Sequence, residues 1–185
     1  MKKLFENWRR FVNESQGQHI GSVRKVGTDL YRISKRYGDS GDNLERFKTG
    51  DKVIRSRDSS ADDGLPYTNA EGQQEHRIYF FSSENDAKAV IFSDIEELEA
   101  IVGDFSDEDR AKGINNNLLL VKIPSSDIPD DIQFFTDPEL EDTPYDAVYG
   151  SSIGGKPWSL RPAPNKINTI QDIIDAEEEY DDEYY

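Results

Sequence analysis

The chain has 185 residues, no cysteine, and 38 acidic against 22 basic side chains, giving a formal net charge of −16. The length suits one domain with additional terminal segments, and the absence of cysteine excludes disulfides, thiolate-ligated zinc and a cysteine nucleophile. The acidic balance disfavours binding to nucleic acid or anionic membrane, because such binding depends on clustered Lys and Arg. No apolar run approaches the ~20 residues that span a bilayer, so no membrane partner is expected.

The first fourteen residues form a basic amphipathic pattern. Their apolar side chains recur on one helical face: Leu4, Phe5, Trp8, Phe11 and Val12. Residues 15–22 are small and polar and predict a linker. The chain therefore divides into a targeting or docking helix over 1–14, a linker over 15–22, a core domain over 23–165, and a helix with an acidic tail over 166–185.

The core domain alternates predicted strands and helices, which indicates an α+β domain. The predicted strands are 29–34, 77–83, 116–123 and 145–149. Ser83 followed by an acid three residues later predicts a helix N-cap, and a second helix is predicted over 94–102. Residues 35–67 and 124–144 are rich in Gly, Pro and polar side chains and predict long irregular loops.

Arg32 stands between apolar neighbours in the first predicted core strand. A buried guanidinium must be paired and hydrogen-bonded, and one suitable partner is a phosphate, which accepts two parallel hydrogen bonds from the planar fork. The alternative is that Arg32 lies on the solvent face of a half-buried strand.

The order of these segments resembles the ADP-ribosyltransferase superfamily. The resemblance implies a mostly antiparallel split sheet with a few helices, and NAD as the substrate. It also implies that Arg32 binds the NAD phosphate and that Ser82 and Ser83 shape the nicotinamide pocket. Tyr79 is placed where a ring could stack on nicotinamide. The alternative for Tyr79 is ordinary core packing, and the alternative for Ser83 is the helix cap.

The carboxylate that this family uses at the ribose has three candidates here. Glu139 and Glu141 have the Glu-x-Glu form common in the transferase branch, but they precede the last predicted strand. Asp146 is better placed and is one methylene shorter than glutamate. Cleavage of the nicotinamide–ribose bond passes through an oxocarbenium-like state, as glycoside hydrolysis does, so a carboxylate near the ribose would stabilise the developing charge.

The N-terminal helix has a resemblance of its own, to the capsid-targeting peptides of internal head proteins of large tailed phages. Val12-Asn13-Glu14 followed by Ser15 matches their hydrophobic-x-Glu processing site, with cleavage between Glu14 and Ser15. This resemblance implies a protein of the virion interior or the host cytoplasm, with phage head or other virion proteins and a host protein acceptor as partners. An ordinary docking helix remains the alternative.

Two rival functions remain open from the sequence. One is a non-enzymatic acidic virion or interaction protein that binds a partner through its N-terminal helix, and the other is an acidic inhibitor that mimics nucleic acid. A metal cofactor is not expected, because the two histidines, His19 and His76, are far apart and lack metal-ligand spacing.

Overall fold

A computed structural model describes residues 23–24, 26–27, 29–38, 40–59, 64–69, 71–93, 95–111, 113–137, 140 and 143–182. The strands in this part are β1 (Val23–Arg24), β2 (Asp29–Lys35), β3 (Tyr37–Gly38), β4 (Gly41–Asp42), β5 (Ile54–Arg55), β6 (Arg77–Phe81), β7 (Leu118–Pro124), β8 (Ile132–Thr136), β9 (Ala147–Ser152), β10 (Ser159–Leu160) and β11 (Ile167–Thr169). The helices are α1 (Asn43–Thr49), α2 (Glu84–Ile91), α3 (Ile95–Val102), α4 (Asp107–Ala111) and α5 (Ile170–Asp182).

One large sheet organises the described residues, with strand order β1-β8-β9-β6-β2-β7-β11. Every pairing in it is antiparallel. The α+β class and the antiparallel sheet predicted from the sequence are therefore confirmed. Strands β2 and β6 are adjacent in the sheet although a loop-rich insert separates them along the chain.

Apolar side chains cover both faces of this sheet. The helical face carries Tyr31, Ile33 and Phe81, together with residues of α2, α3 and α5. The insert face carries Leu30 and Phe80, together with residues of α1, β5 and β10. Because successive side chains of a strand point to opposite faces, a residue's position in its strand determines which of these two layers it belongs to.

The sheet is narrowest between β2 and β6. Strand β2 pairs with β7 over its full length, from Asp29 to Lys35. With β6, on the other side of β2, the described pairing consists of Tyr31 and Phe81 alone. Among the described residues, a single residue pair thus joins the two halves of the sheet, β1-β8-β9-β6 and β2-β7-β11. Backbone groups beyond this pair need other partners, because a buried carbonyl without one is costly.

Two segments predicted as loops contain regular elements, and these predictions were wrong in part. In 124–144, Ile132 and Phe134 of β8 alternate onto the insert face, a two-residue signal that the surrounding prolines and acids obscured. In 35–67, α1 begins at the N-cap Asp42 and buries Leu44 and Phe47. Two apolar residues in so short a helix leave no periodicity to detect.

The end of the domain also differs from the prediction. A helix was expected to begin at residue 167, but Ile167–Thr169 pairs with β7 as the edge strand β11, and α5 begins only at Ile170. The β-favouring Ile and Thr in this triplet explain the strand. The predicted helix 1–14, the linker 15–22 and the processing site at Glu14 and Ser15 lie outside the described residues.

Candidate functional site

Arg32 lies at the narrow junction between β2 and β6. Its Nη1 donates a hydrogen bond of 2.8 Å to the backbone oxygen of Tyr79, so the side chain occupies a position where a paired strand would have supplied a ladder hydrogen bond. The described residues offer no acceptor to its other guanidinium nitrogens. Burial, and then the positive charge of Arg57, lower the pKa of Arg32 to about 10. The guanidinium is therefore partly desolvated, and no anionic side chain in the described part of the chain compensates its charge.

Other basic side chains lie within electrostatic range of this guanidinium, among them Arg57 and Lys52. Burial lowers the pKa of Lys52, and the charges of Arg46 and Arg32 lower it further. Within the described part of the chain, no carboxylate forms an ion pair with Arg32, Arg46, Lys52 or Arg57. A concentration of uncompensated positive charge in a chain of net charge −16 raises the local affinity for anions. We call Arg32, Arg46, Lys52 and Arg57 the basic cluster.

Ser82 and Asp146 meet at the same end of the sheet as this junction. The Ser82 backbone N–H donates to the Asp146 backbone oxygen at 2.8 Å, which continues the β6–β9 pairing one residue past Phe81 and Ala147. Side-chain alternation, extended by that one residue, places Ser82 and Asp146 on the insert face with Arg32. The hydroxyl oxygen of Ser82 is buried and has no hydrogen-bond partner among the described residues.

Ser83 has a different role from its neighbour. Its Oγ accepts a hydrogen bond of 3.1 Å from the Asp86 backbone N–H and lies 2.6 Å from Asp86 Oδ2. Ser83 is thus the N-cap of α2, which confirms the cap predicted from the sequence. A hydroxyl engaged in capping is less available to a ligand than the partnerless hydroxyl of Ser82.

The ring of Tyr79 lies on the other side of the sheet from the basic cluster. It contacts the rings of Tyr67 and Tyr149, with centroid distances of 6.1 and 5.9 Å. The backbone oxygen of Tyr79 accepts the hydrogen bond from Arg32, and its side chain acts on Arg32 electrostatically, which raises the pKa of Arg32 and opposes part of the effect of burial. The structure therefore brings Arg32, Ser82 and Asp146 to one face, and the aromatic ring to the opposite one. Glu139 and Glu141 lie outside the described residues.

A second polar cluster, which the sequence did not reveal, occupies that opposite face. The Arg77 guanidinium lies between the rings of Tyr67 and Tyr149, at 4.4 and 4.2 Å from their centroids, and forms a 2.5 Å ion pair with Glu75. Arg77 is only 1% exposed. Burial alone would lower its pKa, but Tyr79, Tyr149 and Glu75 outweigh burial and raise it. Arg77 is thus compensated where Arg32 is not.

The pairing of Glu75 with Arg77 has one sequence signal that could have revealed it. The two residues are separated by a single position, so an extended chain directs both to one side. Burial raises the pKa of Tyr149 to about 12, with Glu75 and Asp137 adding to the effect and Arg77 opposing it. Tyr149 therefore stays protonated at neutral pH.

No protein-family model matches the chain, and neither curated proteins nor solved structures provide a match. Among the described residues, no group of three or more His, Asp or Glu side chains could hold a metal ion. None of the helices in the described part has the length and apolar composition needed to cross a membrane.

Proposed function

We propose that this protein is an ADP-ribosyltransferase-like enzyme that binds NAD through Arg32. The observation that carries the proposal is the state of this side chain: partly desolvated, with a lowered pKa, and with no acid paired to it among the described residues. A charge in that state is costly in the free protein. A diphosphate would remove the cost, because it supplies negative charge and accepts hydrogen bonds from the guanidinium fork.

The neighbours of Arg32 suit the remainder of such a ligand. Lys52 and Arg57 add positive charge to the same surroundings, which favours a ligand with more than one phosphate. The unpartnered hydroxyl of Ser82 can hydrogen-bond a polar group of the ligand. The backbone of Asp146 is paired with that of Ser82, and this proximity supports Asp146 as a candidate for the carboxylate at the ribose.

In the proposed reaction, the arginine and the carboxylate have separate roles. The arginine holds the diphosphate so that the nicotinamide–ribose bond is exposed and oriented. A carboxylate stabilises the positive charge that develops on the ribose ring as nicotinamide leaves. Asp146 is the described candidate for that carboxylate, and Glu139 and Glu141 are the sequence candidates on the segment that precedes it.

The test compares the full-length protein with its Arg32→Met variant. Calorimetric titration with NAD should show binding that weakens at least about tenfold in the variant, since each 1.4 kcal/mol corresponds to a factor of ten. Incubation of host-cell lysate with tagged NAD should label protein bands that the variant does not label. Arg110→Met is the matched control, because Arg110 already pairs with Glu99. Absence of both NAD binding and labelling would overturn the proposal.

We also propose that residues 1–14 address the protein to the phage head and are removed between Glu14 and Ser15. Support comes from the amphipathic basic pattern and the Val12-Asn13-Glu14 site. The protein would then be packaged in the virion and act on a host protein acceptor in the host cytoplasm. Mass spectrometry of purified virions should find a chain that begins at Ser15, and a packaged chain that still begins at Met1 would contradict the processing step.

A further inference from the structure

A cleft lies beside the Glu75–Arg77 pair, away from the basic cluster. Its volume is about 350 Å³. The lining polar side chains include Glu71, Glu75, Gln133 and Ser151, and its apolar wall includes Phe135 and Tyr149. These lining residues belong to β8, β9 and the loop that precedes β6. The cleft is therefore built on the aromatic face of the sheet, opposite the face that carries Arg32.

Glu75 has one carboxylate oxygen that accepts no hydrogen bond from the described residues. Arg77 donates to Oε2 alone, from Nε at 2.8 Å and from Nη2 at 2.5 Å. No described group donates a hydrogen bond to Oε1, and this oxygen retains some solvent exposure. Since Glu75 is 6% exposed and lines the cleft, its free oxygen opens toward that space. A carboxylate oxygen held in this way is a strong acceptor awaiting a donor.

The rest of the lining favours a cation that donates hydrogen bonds. Its polar lining residues are Glu, Asn, Gln and Ser, and the described lining contains no Lys or Arg. The Phe135 ring stacks on the Tyr149 ring with a centroid distance of 5.3 Å and an interplanar angle of 21°. Phe135 is half-buried, so it can also contact a ligand, and the face of an aromatic ring attracts a cation.

We propose that this cleft binds the guanidinium of an arginine side chain on a peptide or protein partner. A guanidinium is planar and donor-only, and it stacks on aromatic rings, whereas the ammonium of lysine is more strongly hydrated and suits a flat wall less well. The same chain already shows this arrangement once, where the Arg77 guanidinium lies against Tyr149. In the cleft, a second guanidinium would stack on Phe135, the other ring of the Phe135–Tyr149 pair, and would donate a hydrogen bond to Oε1 of Glu75.

The experiment titrates the full-length protein with N-acetyl-arginine methylamide and with the citrulline analogue, which has the same shape without the charge. Gln133→Lys places a cation at an exposed lining position of β8, and Asn168→Lys places the same charge at an exposed position of β11 outside the cleft. Glu75→Gln removes the free carboxylate oxygen, with circular dichroism confirming that the variant folds. Amide chemical shifts report where the ligand binds.

The arginine compound should bind at least about tenfold more tightly than the citrulline compound, because hydrogen bonds to charged groups are the stronger ones. The shifts should centre on Gln133, Ser151 and Gly155. Gln133→Lys and Glu75→Gln should each weaken binding about tenfold, and Asn168→Lys should leave it unchanged.

Equal affinity for the two compounds would overturn the proposal, as would no binding of the arginine compound or shifts centred elsewhere. NAD binding should persist in Gln133→Lys, so failure of this proposal can be distinguished from failure of the NAD proposal.

Discussion

Substitution of Arg32 by methionine separates a ligand-binding role for this side chain from a structural one. A pKa lowered to about 10 corresponds to about 3 kcal/mol of unfavourable interaction for the charged guanidinium, and because Arg32 is only half-buried by solvent exposure, we reduce this to about 2 kcal/mol. The methionine variant has no charge at this position, so this unfavourable interaction is absent from its folded state. It also loses the hydrogen bond to the Tyr79 oxygen, which contributes about 2 kcal/mol for a charged donor. The two effects offset each other, so the free energy of unfolding should change by less than about 1 kcal/mol.

Arg77→Met is the matched comparison. It removes one partner of a buried ion pair and leaves the Glu75 carboxylate uncompensated, which should destabilise the protein by about 3–5 kcal/mol. Both variants lose a guanidinium and keep a linear apolar side chain. The difference between them therefore measures whether each arginine is balanced by an acid within the fold.

Urea denaturation at neutral pH and low salt, followed by circular dichroism, measures both variants. In NAD at a hundred times the wild-type dissociation constant, the wild-type protein should gain about 2.7 kcal/mol, and Arg32→Met, with affinity reduced at least about tenfold, should gain about 1.4 kcal/mol or less. A loss of about 3 kcal/mol or more for Arg32→Met without ligand would show that Arg32 is a structural residue. That result would refute the reasoning that its charge is held for an anion.

Three further predictions follow from the same site and the cleft. The affinity for ADP should fall as the pH rises toward about 10, because Lys52, whose pKa is lowered, and Arg32 both lose their protons in that direction. Because the unfolded chain holds the Arg32 proton more tightly, this group should make the fold more stable as the pH rises above about 10. Ser83→Ala should lower the free energy of unfolding by about 1 kcal/mol in urea denaturation, because it removes a helix cap, and should leave NAD affinity unchanged in calorimetry. Ser82→Ala should leave stability unchanged and weaken NAD binding. The reverse pattern would assign the ligand to Ser83. Gly154→Ala should lower the free energy of unfolding by about 1–2 kcal/mol, because of its positive φ alone. Gly155→Ala should lower it by about 2 kcal/mol more, because the new methyl group would lie 2.2 Å from a backbone oxygen. Equal losses of stability in urea denaturation would contradict the packing argument.

Much of the fold could be predicted from local patterns. The core strands β2, β6, β7 and β9 were each predicted within a few residues, because β-branched and aromatic residues are concentrated there. The helix that follows Ser83 was predicted from its cap. Among the missed elements, α1 and β8 are short, and the apolar side chains of both belong to one core cluster built from distant segments.

The candidate site was only partly accessible from the sequence. Arg32 could be selected because an arginine between apolar neighbours requires a partner. Tyr79 was selected from the family resemblance alone. Its ring packs against Tyr67 and Tyr149, and a resemblance without a pairing register could not reveal this. The Glu75–Arg77 pair was missed because charged neighbours in sequence are usually solvated, and only burial between two tyrosines distinguishes this one.

By itself, the sequence determined the α+β class, the acidic character, the strand-forming segments and the arginine that demanded an explanation, because these depend on composition and on contacts within a few residues. The strand order, the single pair that joins the halves of the sheet, and the separation of a basic face from an aromatic one were decided only by the tertiary structure. These features arise from pairings between segments far apart in the chain, and register is set jointly by all the strands that share a core.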